Sequence, residues 1–433
     1  MKVLLVGSGG REDAIAWALR RSPLLRKLRC APGNAGTAGR AETVPISADD
    51  ADALAAHAES ERYDLVIVGP EAPLVAGLAD RLRASGIPAF GPSAGAAAIE
   101  GSKAFAKEFM TRHRIPTAPF RVFSDLADAS RFLASSEATY PLVVKADGLA
   151  AGKGVVIAAD RAEATAAARG MLEEKRFGPA GERVVVEDLL RGREASFFVL
   201  TDGERSVPLE TCQDYKRALD GDRGPNTGGM GTYSPSVFLD AETRRRILEE
   251  IVEPTVSGLA EEGRPYRGVL YVGVMLADDG PRVLEYNARF GDPETQVLIP
   301  RLDGDWLPVL AACASGDVRG AGARFLPDPA VCVVMASAGY PGPPAKGARI
   351  RGLDEASAMP RVTVFHAGTA REESGALVTA GGRVLGVTAL GATLREARDR
   401  AYRAVGAIRW QGARHRGDIA LDALSRAEGR ETG

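Results

Sequence analysis

The chain has little lysine, cysteine and histidine, and it has no long apolar run. Its four cysteines are far apart and form no CxxC pair, and its four histidines do not cluster. This spacing argues against a disulfide framework, a zinc site or a His-rich metal site, and it fits a reducing compartment. No segment approaches the roughly 18 consecutive apolar residues of a membrane span. We therefore expect a cytoplasmic protein without a membrane partner.

An excess of positive charge is also missing. The formal net charge is −2, with 55 basic and 57 acidic residues. A protein that binds nucleic acid usually needs a basic surplus to neutralise phosphates, so nucleic acid is not the expected partner. Small anionic ligands remain possible because they need only local positive charge. At 433 residues the chain should form two to four domains.

The scarcity of lysine makes each lysine informative. Only nine lysines occur in the chain, and arginine supplies the other basic residues. Arginine can replace lysine on most solvated surfaces, but not where a compact ammonium group is required. Lys145, Lys153 and Lys216 lie in glycine-rich or strand motifs, and Lys103 follows a Gly-Ser turn. These four lysines are therefore candidate ligand contacts.

The most informative stretch is 284–296, with the sequence LEYNARFGDPETQ. Glu285 and Asn287 are two residues apart, so in a strand both side chains point to the same face. Carboxylate and amide oxygens are hard ligands that suit Mg²⁺. Arg289 continues this face, and Asp292 with Pro293 is expected to begin a helix. An edge strand with an alternating polar face is an equally good interpretation of this stretch alone.

The amino-terminal third alternates short apolar strands with helical patterns, which predicts a parallel, doubly wound sheet. A strand at 2–6 is followed by Gly7-Ser8-Gly9-Gly10 and then by a helix. Free backbone N–H groups at such a turn favour an anion. The third glycine of a dinucleotide motif is replaced by Glu12, so a NAD site is disfavoured. A packing turn without any ligand remains the alternative.

Two adjacent strands at 142–145 and 155–157 are joined by a glycine-rich loop that bears Lys153. Such a loop can close over phosphates with backbone N–H and ammonium donors. A mobile hairpin with a solvated lysine is the alternative. It is not a Walker A loop, because no GK[ST] opens a helix here.

Further polar residues follow in the central region. A strand from 183 ends in an acidic bend near Glu187, and Glu194 opens the next strand. A carboxylate there could accept ribose hydroxyls, although Glu187 alone could be a surface turn residue. The stretch 213–231 has no hydrophobic period and is expected to be a long functional loop. After about 329 the chain is rich in strands.

These features together predict a nucleoside triphosphate held between two sheets, with Mg²⁺ on its phosphates. The chain resembles the ATP-grasp superfamily, and its motifs closely resemble the family of phosphoribosylamine–glycine ligases, also called glycinamide ribonucleotide synthetases. The motifs, in chain order, are GSGGRE from Gly7, APGNAGT from Ala31, VGPEAPLVAG from Val68, EGSKAF from Glu100, KADGLAAGKGV from Lys145, EASF from Glu194, GPNTGGMG from Gly224, NARFGDPETQ from Asn287, HAGT from His366 and GGRVL from Gly381.

The resemblance implies an α/β fold with three parts. These are an amino-terminal doubly wound parallel-sheet domain at 1–105, a central two-part ATP-grasp domain at 106–318 and a carboxy-terminal strand-rich α+β domain at 326–425. The flap and small lobe are expected at about 118–190, and the first domain is expected to bind phosphoribosylamine. A monomer is expected.

The resemblance also implies a reaction and its residues. ATP, glycine and 5-phosphoribosylamine would give glycinamide ribonucleotide, ADP and phosphate through glycyl phosphate, in de novo purine synthesis. The implied catalytic residues are Arg289, Asp214 and Lys145. The implied ATP contacts are Lys103, Lys145, Lys153, Glu187, Asp188, Leu189 and Glu194. The implied substrate contacts are Gly9, Gly10, Glu12, Asp214 and Arg289. Glu285 and Asn287 match the family's ligands for Mg²⁺ or Mn²⁺.

Two positions depart from the family pattern. Asp13 and Tyr215 stand where histidine is common. A carboxylate that faced the substrate phosphate would repel it, so we hypothesise that Asp13 points away from the pocket. Tyr215 could stack or pack without changing the chemistry.

Overall fold

The computed structural model describes residues 1–150, 154–320 and 322–427. Lys153, the lysine of the predicted flap, lies outside these residues. Within them, no helix is both long enough and apolar enough to span a membrane.

The amino-terminal segment forms a five-stranded parallel sheet flanked by helices. Its elements are β1 (Lys2–Gly7), α1 (Gly10–Leu19), β2 (Lys27–Pro32), β3 (Glu42–Thr43), α2 (Ala51–Glu61), β4 (Leu65–Val68), α3 (Glu71–Val75), α4 (Leu78–Ala84), β5 (Ala89–Phe90) and α5 (Ala94–Gly101). The strand order is β3-β2-β1-β4-β5, and every pair is parallel. The order reverses between β1 and β4, so the predicted doubly wound sheet is confirmed, and its switch point lies beside the loop after β1.

The sequence pattern over about 74–84, which follows the turn at 70–73, predicts a single helix. The structure divides it into α3 and α4 at Gly77, whose φ is +84°. Left-handed backbone of this kind ends a helix, and glycine adopts it without a steric penalty.

A small antiparallel lobe follows. Its elements are α6 (Lys103–Arg112), β6 (Phe120–Phe123), α7 (Leu126–Leu133), β7 (Leu142–Ala146), β8 (Val155–Ala158), α8 (Arg161–Leu172) and β9 (Val184–Asp188). The strand order is β6-β9-β7-β8. Alanine and aliphatic side chains of α7 and α8 form a separate apolar core against this sheet. The lobe therefore has its own core, as expected for one half of a two-part domain.

The larger central lobe contains the strand of Glu285. Its elements are β10 (Arg193–Thr201), β11 (Ser206–Pro208), β12 (Gln213–Asp214), β13 (Arg217–Leu219), β14 (Arg223–Asn226), β15 (Gly231–Ser234), α9 (Ala241–Ile247), α10 (Glu253–Glu261), β16 (Gly268–Ala277), β17 (Gly280–Asn287), α11 (Thr295–Arg301), β18 (Leu302–Asp303) and α12 (Trp306–Ser315). β11, β10, β16 and β17 form an antiparallel sheet in that order. The sequence pattern predicts a helix over about 241–262; the backbone is helical from α9 to α10, with a π-helical turn at Leu248–Val252 between them.

The carboxy-terminal segment completes a fourth sheet. Its elements are β19 (Arg324–Phe325), β20 (Ala330–Ala336), α13 (Leu353–Ser357), β21 (Val362–His366), β22 (Thr369–Arg371), β23 (Leu377–Thr379), β24 (Arg383–Leu390), α14 (Leu394–Ala407) and α15 (Leu421–Ala427). The strand order is β12-β15-β20-β24-β21. The strand-rich α+β character of this segment is confirmed.

The stretch 213–231 is not the long loop that its composition predicts. It contains the β13–β14 hairpin, and β12 and β15 extend the carboxy-terminal sheet through antiparallel pairing. The prediction failed because short polar, glycine-rich strands carry no apolar alternation. The partner that joins them to the carboxy-terminal sheet is β20, which pairs with β15 and lies about a hundred residues further along the chain.

Candidate active site

Strand β17 presents Glu285 and Asn287 toward the cleft between the two central lobes. Tyr286, between them, points to the other face, where its hydroxyl lies 2.7 Å from Thr255 Oγ1 of α10. The Glu285 side chain is 42% exposed, whereas Asn287 is buried. Among the residues that the structure describes, the Asn287 amide nitrogen has no hydrogen-bond partner. The strand therefore offers two oxygen-bearing side chains whose polar atoms are not fully used within the protein.

Lysines from three different elements surround Glu285. Lys216 Nζ lies 3.7 Å from Glu285 Oε1 and 3.1 Å from Glu194 Oε2. Lys145 Nζ donates to Leu284 O at 3.4 Å, and Lys103 Nζ donates to Gly148 O at 3.0 Å. Desolvation alone would raise the pKa of Glu285, but the charges of Lys216, Lys145 and Lys103 lower it to about 2. Glu285 is thus held ionised in a cationic cleft.

Glu187 is buried within the small lobe rather than exposed at a bend. Its carboxylate pairs with Lys145, and its Oε2 lies 2.5 Å from Lys107 Nζ. Burial opposes ionisation, but Lys145 and Lys107 keep the pKa of Glu187 below its ordinary value. The side chain is therefore committed to two ammonium groups. A contact with adenine would have to come from the backbone of this segment.

Sequence reasoning missed Lys107. It lies four residues after Lys103 on α6, so both side chains lie on one face of the helix. The spacing of these two lysines, in a chain that has few, was the sequence feature that could have identified Lys107. Asp188 is exposed at the end of β9 and Leu189 is partly buried after it. The backbone N–H of Asp188 donates to Pro119 O at 3.0 Å.

Arg289 lies just beyond β17 and is clamped by two acidic residues. Its Nε lies 3.1 Å from Glu71 Oε2, and its Nη2 lies 3.2 Å from Glu100 Oε1. Glu100 Oε2 also accepts from the Ala288 backbone N–H at 2.5 Å. Burial raises the pKa of Glu100 to about 7 despite the nearby arginine. The clamp connects the amino-terminal sheet domain to the end of β17.

Glu71 and Glu100 were not predicted as site residues, although both stand in quoted motifs, VGPEAPLVAG and EGSKAF. Their role depends on a contact with Arg289 that spans about two hundred residues. Arg289 Nη1 also donates to Phe290 O at 3.3 Å. All three guanidinium nitrogens therefore have partners within the chain.

Asp214 ends β12 beside the same cleft. Burial raises its pKa to about 7; Lys216 opposes this rise, while Glu294 and Glu194 add to it. The neighbouring Gln213 side chain donates to Glu194 O at 2.5 Å. The structure thus brings Asp214, Lys216 and Glu194 together with Glu285.

The loop after β1 packs against the stretch that follows β17. The Arg11 backbone N–H donates to Asp292 Oδ2 at 3.1 Å. A Cβ at Gly10 would approach the Gln296 side-chain nitrogen to 2.5 Å, so a larger residue there would displace the end of that side chain. Glu12 points inward and accepts from the Gly9 N–H at 2.6 Å. The Glu12 side chain therefore helps to fix the conformation of this loop.

Asp292 does not begin the following helix, contrary to the prediction. Helix α11 starts at Thr295, and Glu294 occupies the position before it. The Asp292 carboxylate instead accepts from the Gln296 side chain at 2.8 Å as well as from Arg11 N–H. Contacts with the amino-terminal loop have replaced the local capping bond.

Both departures from the family pattern are accommodated inside the protein. Asp13 is fully buried; it accepts from the His366 backbone N–H at 2.8 Å and lies 3.0 Å from Arg40 Nη1. This geometry supports the hypothesis that Asp13 points away from the substrate. The Tyr215 hydroxyl donates to the Asp422 carboxylate and accepts from Ala420 N–H at 2.9 Å. Tyr215 thus packs the central lobe against the end of the chain.

Among the described residues, no three His, Cys, Asp or Glu side chains converge as a metal site. Glu285 can supply a carboxylate oxygen, and Asn287, whose buried amide nitrogen has no partner among the described residues, can supply its amide oxygen once the amide turns. Such a pair fits Mg²⁺, which is commonly held by one or two protein oxygens together with substrate phosphates and water.

The chain matches three family descriptions in succession. Residues 1–100 match the phosphoribosylglycinamide synthetase N domain, 101–295 its ATP-grasp (A) domain and 330–422 its C domain. The phosphoribosylamine–glycine ligase of Caulobacter vibrioides is 54% identical over 98% of this chain and 99% of its own length. That of Pseudomonas aeruginosa is 50% identical over 99% of this chain and its own full length.

Solved structures give the same result. The phosphoribosylamine–glycine ligase of Thermotoga maritima superimposes with a TM-score of 0.85 at 33% identity, covering 97% of this chain and all of its own. The biotin carboxylase domain of Hydrogenobacter thermophilus 2-oxoglutarate carboxylase gives 0.73 at 18% identity, covering 96% of this chain and 91% of its own, which shows a shared fold alone. With its three domains matched in order and its cationic cleft intact, the chain belongs to the phosphoribosylglycinamide synthetase family, within the ATP-grasp ligases.

Proposed function

We propose that this chain joins glycine to 5-phosphoribosylamine at the expense of ATP, giving glycinamide ribonucleotide, ADP and phosphate in purine biosynthesis. The observation that carries the proposal is the convergence of Lys103, Lys145 and Lys216 on Glu285. A carboxylate held ionised among three ammonium groups suits a triphosphate and a divalent counter-ion.

The chemistry proceeds in two steps. Glycine's carboxylate attacks the γ-phosphorus of ATP, which forms glycyl phosphate and releases ADP. The amine of phosphoribosylamine then attacks the carbonyl carbon, phosphate leaves, and the nitrogen loses a proton. Phosphorylation is needed because a carboxylate has no adequate leaving group. The cleft contributes positioning and charge neutralisation rather than a covalent protein intermediate.

The lysines take the nucleotide phosphates in this proposal. Lys145 and Lys103 contact the triphosphate, with Lys153 as a further donor from the flap. Glu194 binds the ribose hydroxyls. This requires that Lys216 break its ion pair with Glu194 and contact a phosphate group instead. Segment 187–189 holds adenine, mainly through its backbone, because the Glu187 carboxylate is already paired.

Arg289 and Asp214 are proposed to contact glycine and the acyl phosphate. Arg289 can do so only by exchanging one of its present partners, Glu71 or Glu100. Glu100 is the better candidate for release, because its raised pKa makes its ionised form costly. Gly9, Gly10 and Glu12 shape the loop proposed to receive phosphoribosylamine.

A divalent ion, Mg²⁺ or Mn²⁺, is proposed to bind between Glu285 and Asn287. When bound, it would offset the negative charge of the triphosphate during phosphoryl transfer. Glu285 would hold the ion by charge, and Asn287 would turn its amide oxygen toward it.

Phosphate release tests the proposal directly. The chain is incubated with Mg-ATP, glycine and freshly prepared phosphoribosylamine, and each is omitted in turn. Release should need all three, and bicarbonate should not replace glycine. Turnover that ignores glycine would refute the proposal and favour another carboxylate chemistry on this fold.

We also propose a cytoplasmic monomer that acts on these small molecules without nucleic acid. Light scattering after size-exclusion chromatography should give a mass near 45.5 kDa. A doubled mass would contradict the monomer and leave the reaction unaffected.

A further inference from the structure

The cluster of Lys107, Glu187 and Lys145 is more than a buried ion pair. All three side chains are almost fully buried in the small lobe. One carboxylate serves two ammonium groups, Lys145 through Oε1 and Lys107 through Oε2. The cluster therefore carries one net positive charge.

Lys107 also connects this cluster to strand β17. Its ammonium donates to Thr117 Oγ1 at 2.8 Å, and that hydroxyl donates to Val283 O of β17 at 2.8 Å. The Phe120 ring lies 5.8 Å from the same ammonium. Lys107 is thus fixed from several sides, and its side chain is buried. Lys145 differs, because its ammonium has one further hydrogen bond among the described residues, a long one to Leu284 O at 3.4 Å.

This arrangement bears on how Lys145 could bind a phosphate. If a lysine is the sole partner of a buried carboxylate, its departure leaves that carboxylate buried and unpaired. An unpaired buried charge is costly. With Lys107 present, Glu187 keeps a counter-charge when Lys145 moves away. We propose that Lys107 is a positioning residue for the nucleotide: it neutralises Glu187 so that the Lys145 ammonium is free to engage the triphosphate. This inference rests on the proposed function only in that the cleft binds ATP.

The test is the affinity for Mg-ATP, measured by calorimetry without glycine or phosphoribosylamine. Lys107→Met should weaken ATP binding about tenfold, the change expected when one charge-assisted bond to phosphate is impaired. Lys107→Arg should retain most of the affinity. Lys346→Met makes the same substitution at an exposed position of the carboxy-terminal segment and should change nothing.

A double variant separates charge sharing from packing. In Lys107→Met/Glu187→Gln the carboxylate charge is also gone, so Lys145 is again free and ATP affinity should recover to within about threefold of wild type. If Lys107 acts only in packing, the double variant should bind ATP no more tightly than the weaker-binding of the two single variants. That result, or unchanged affinity in a folded Lys107→Met, would overturn the proposal.

Two further readouts keep the test decisive. In turnover assays Lys107→Met should raise the KM for ATP more than it lowers kcat.

If this variant fails to fold, the double variant is compared with Glu187→Gln alone; loss of ATP binding in the double variant would then overturn the proposal. A wild-type chain that binds Mg-ATP but shows no glycine-dependent turnover would refute the proposed function and leave this test intact.

Discussion

Lys216 Nζ lies 3.7 Å from Glu285 Oε1, so an ammonium group already faces the carboxylate proposed to bind a metal. The two residues come from β-hairpin and strand segments about seventy residues apart. The ammonium also holds Glu194 at 3.1 Å. Before ligands bind, Lys216 is thus the counter-ion of both carboxylates.

Replacing Lys216 by methionine should have two effects. Turnover should fall about 100-fold, because a cation beside the transferred phosphoryl group is lost. The affinity for Mn²⁺ without ATP should rise, because no ammonium competes for Glu285. Electron paramagnetic resonance titration of Mn²⁺ would measure the second effect, with Lys346→Met as the matched control. Unchanged Mn²⁺ affinity would show that the two cations do not compete.

Glu285→Gln should reduce glycine-dependent turnover at least about 100-fold while the fold stays intact. The amide keeps the shape of the side chain but loses the charge that would hold a divalent ion. Steady-state kinetics and a thermal melt together check this expectation. Glu204→Gln, at an exposed turn, is the control. Near-normal turnover in Glu285→Gln would place the metal elsewhere.

Arg289→Met should destabilise the protein by about 3–5 kcal/mol, because Glu71 and buried Glu100 would lose their shared counter-charge. Urea unfolding measures this change. Arg324→Met, at a side chain that is 81% exposed, should be neutral. In the variant, protonation of Glu100 removes part of this cost. The loss of unfolding free energy should therefore be smaller at pH 6 than at pH 8. Equal losses at both pH values would contradict that explanation.

Asp13 should make the stability depend on pH in an unusual direction. Burial raises its pKa to about 6, against the attraction of Arg40 and the His366 N–H. At pH values well below 3.8, the ordinary pKa, the Asp13 carboxyl is protonated in both the folded and the unfolded chain. It then makes no pH-dependent contribution to the free energy of unfolding. Between pH 4 and pH 6 the unfolded chain loses this proton first, so folding becomes less favourable by up to about 3 kcal/mol.

Asp13→Asn removes that titration. The variant should therefore gain stability relative to wild type as the pH rises from 4 to 6, and the difference should then level off. Urea unfolding at several pH values checks the trend, with exposed Asp49→Asn as the control. The KM for phosphoribosylamine should change less than about twofold, because Asp13 faces Arg40 rather than the cleft. A sharp fall in this KM would mean that the carboxylate does repel the substrate.

Much of the fold could be predicted from local patterns. Alternating apolar strands and helices predicted the doubly wound sheet, and the spacing of Glu285 and Asn287 placed both on one face of a strand. The ordered motifs predicted the family. These successes share a cause: strand periodicity, glycine turns and short motifs are encoded by neighbouring residues, and their physical meaning does not depend on distant parts of the chain.

The tertiary structure decided which charges meet. Lys107 pairs with Glu187, Arg289 with Glu71 and Glu100, and Lys216, which lies between β12 and β13, with Glu285. No local pattern specifies these partners, since each contact spans about seventy residues or more. A buried carboxylate must find a cation when the domains pack, and the topology alone determines which cation lies within reach.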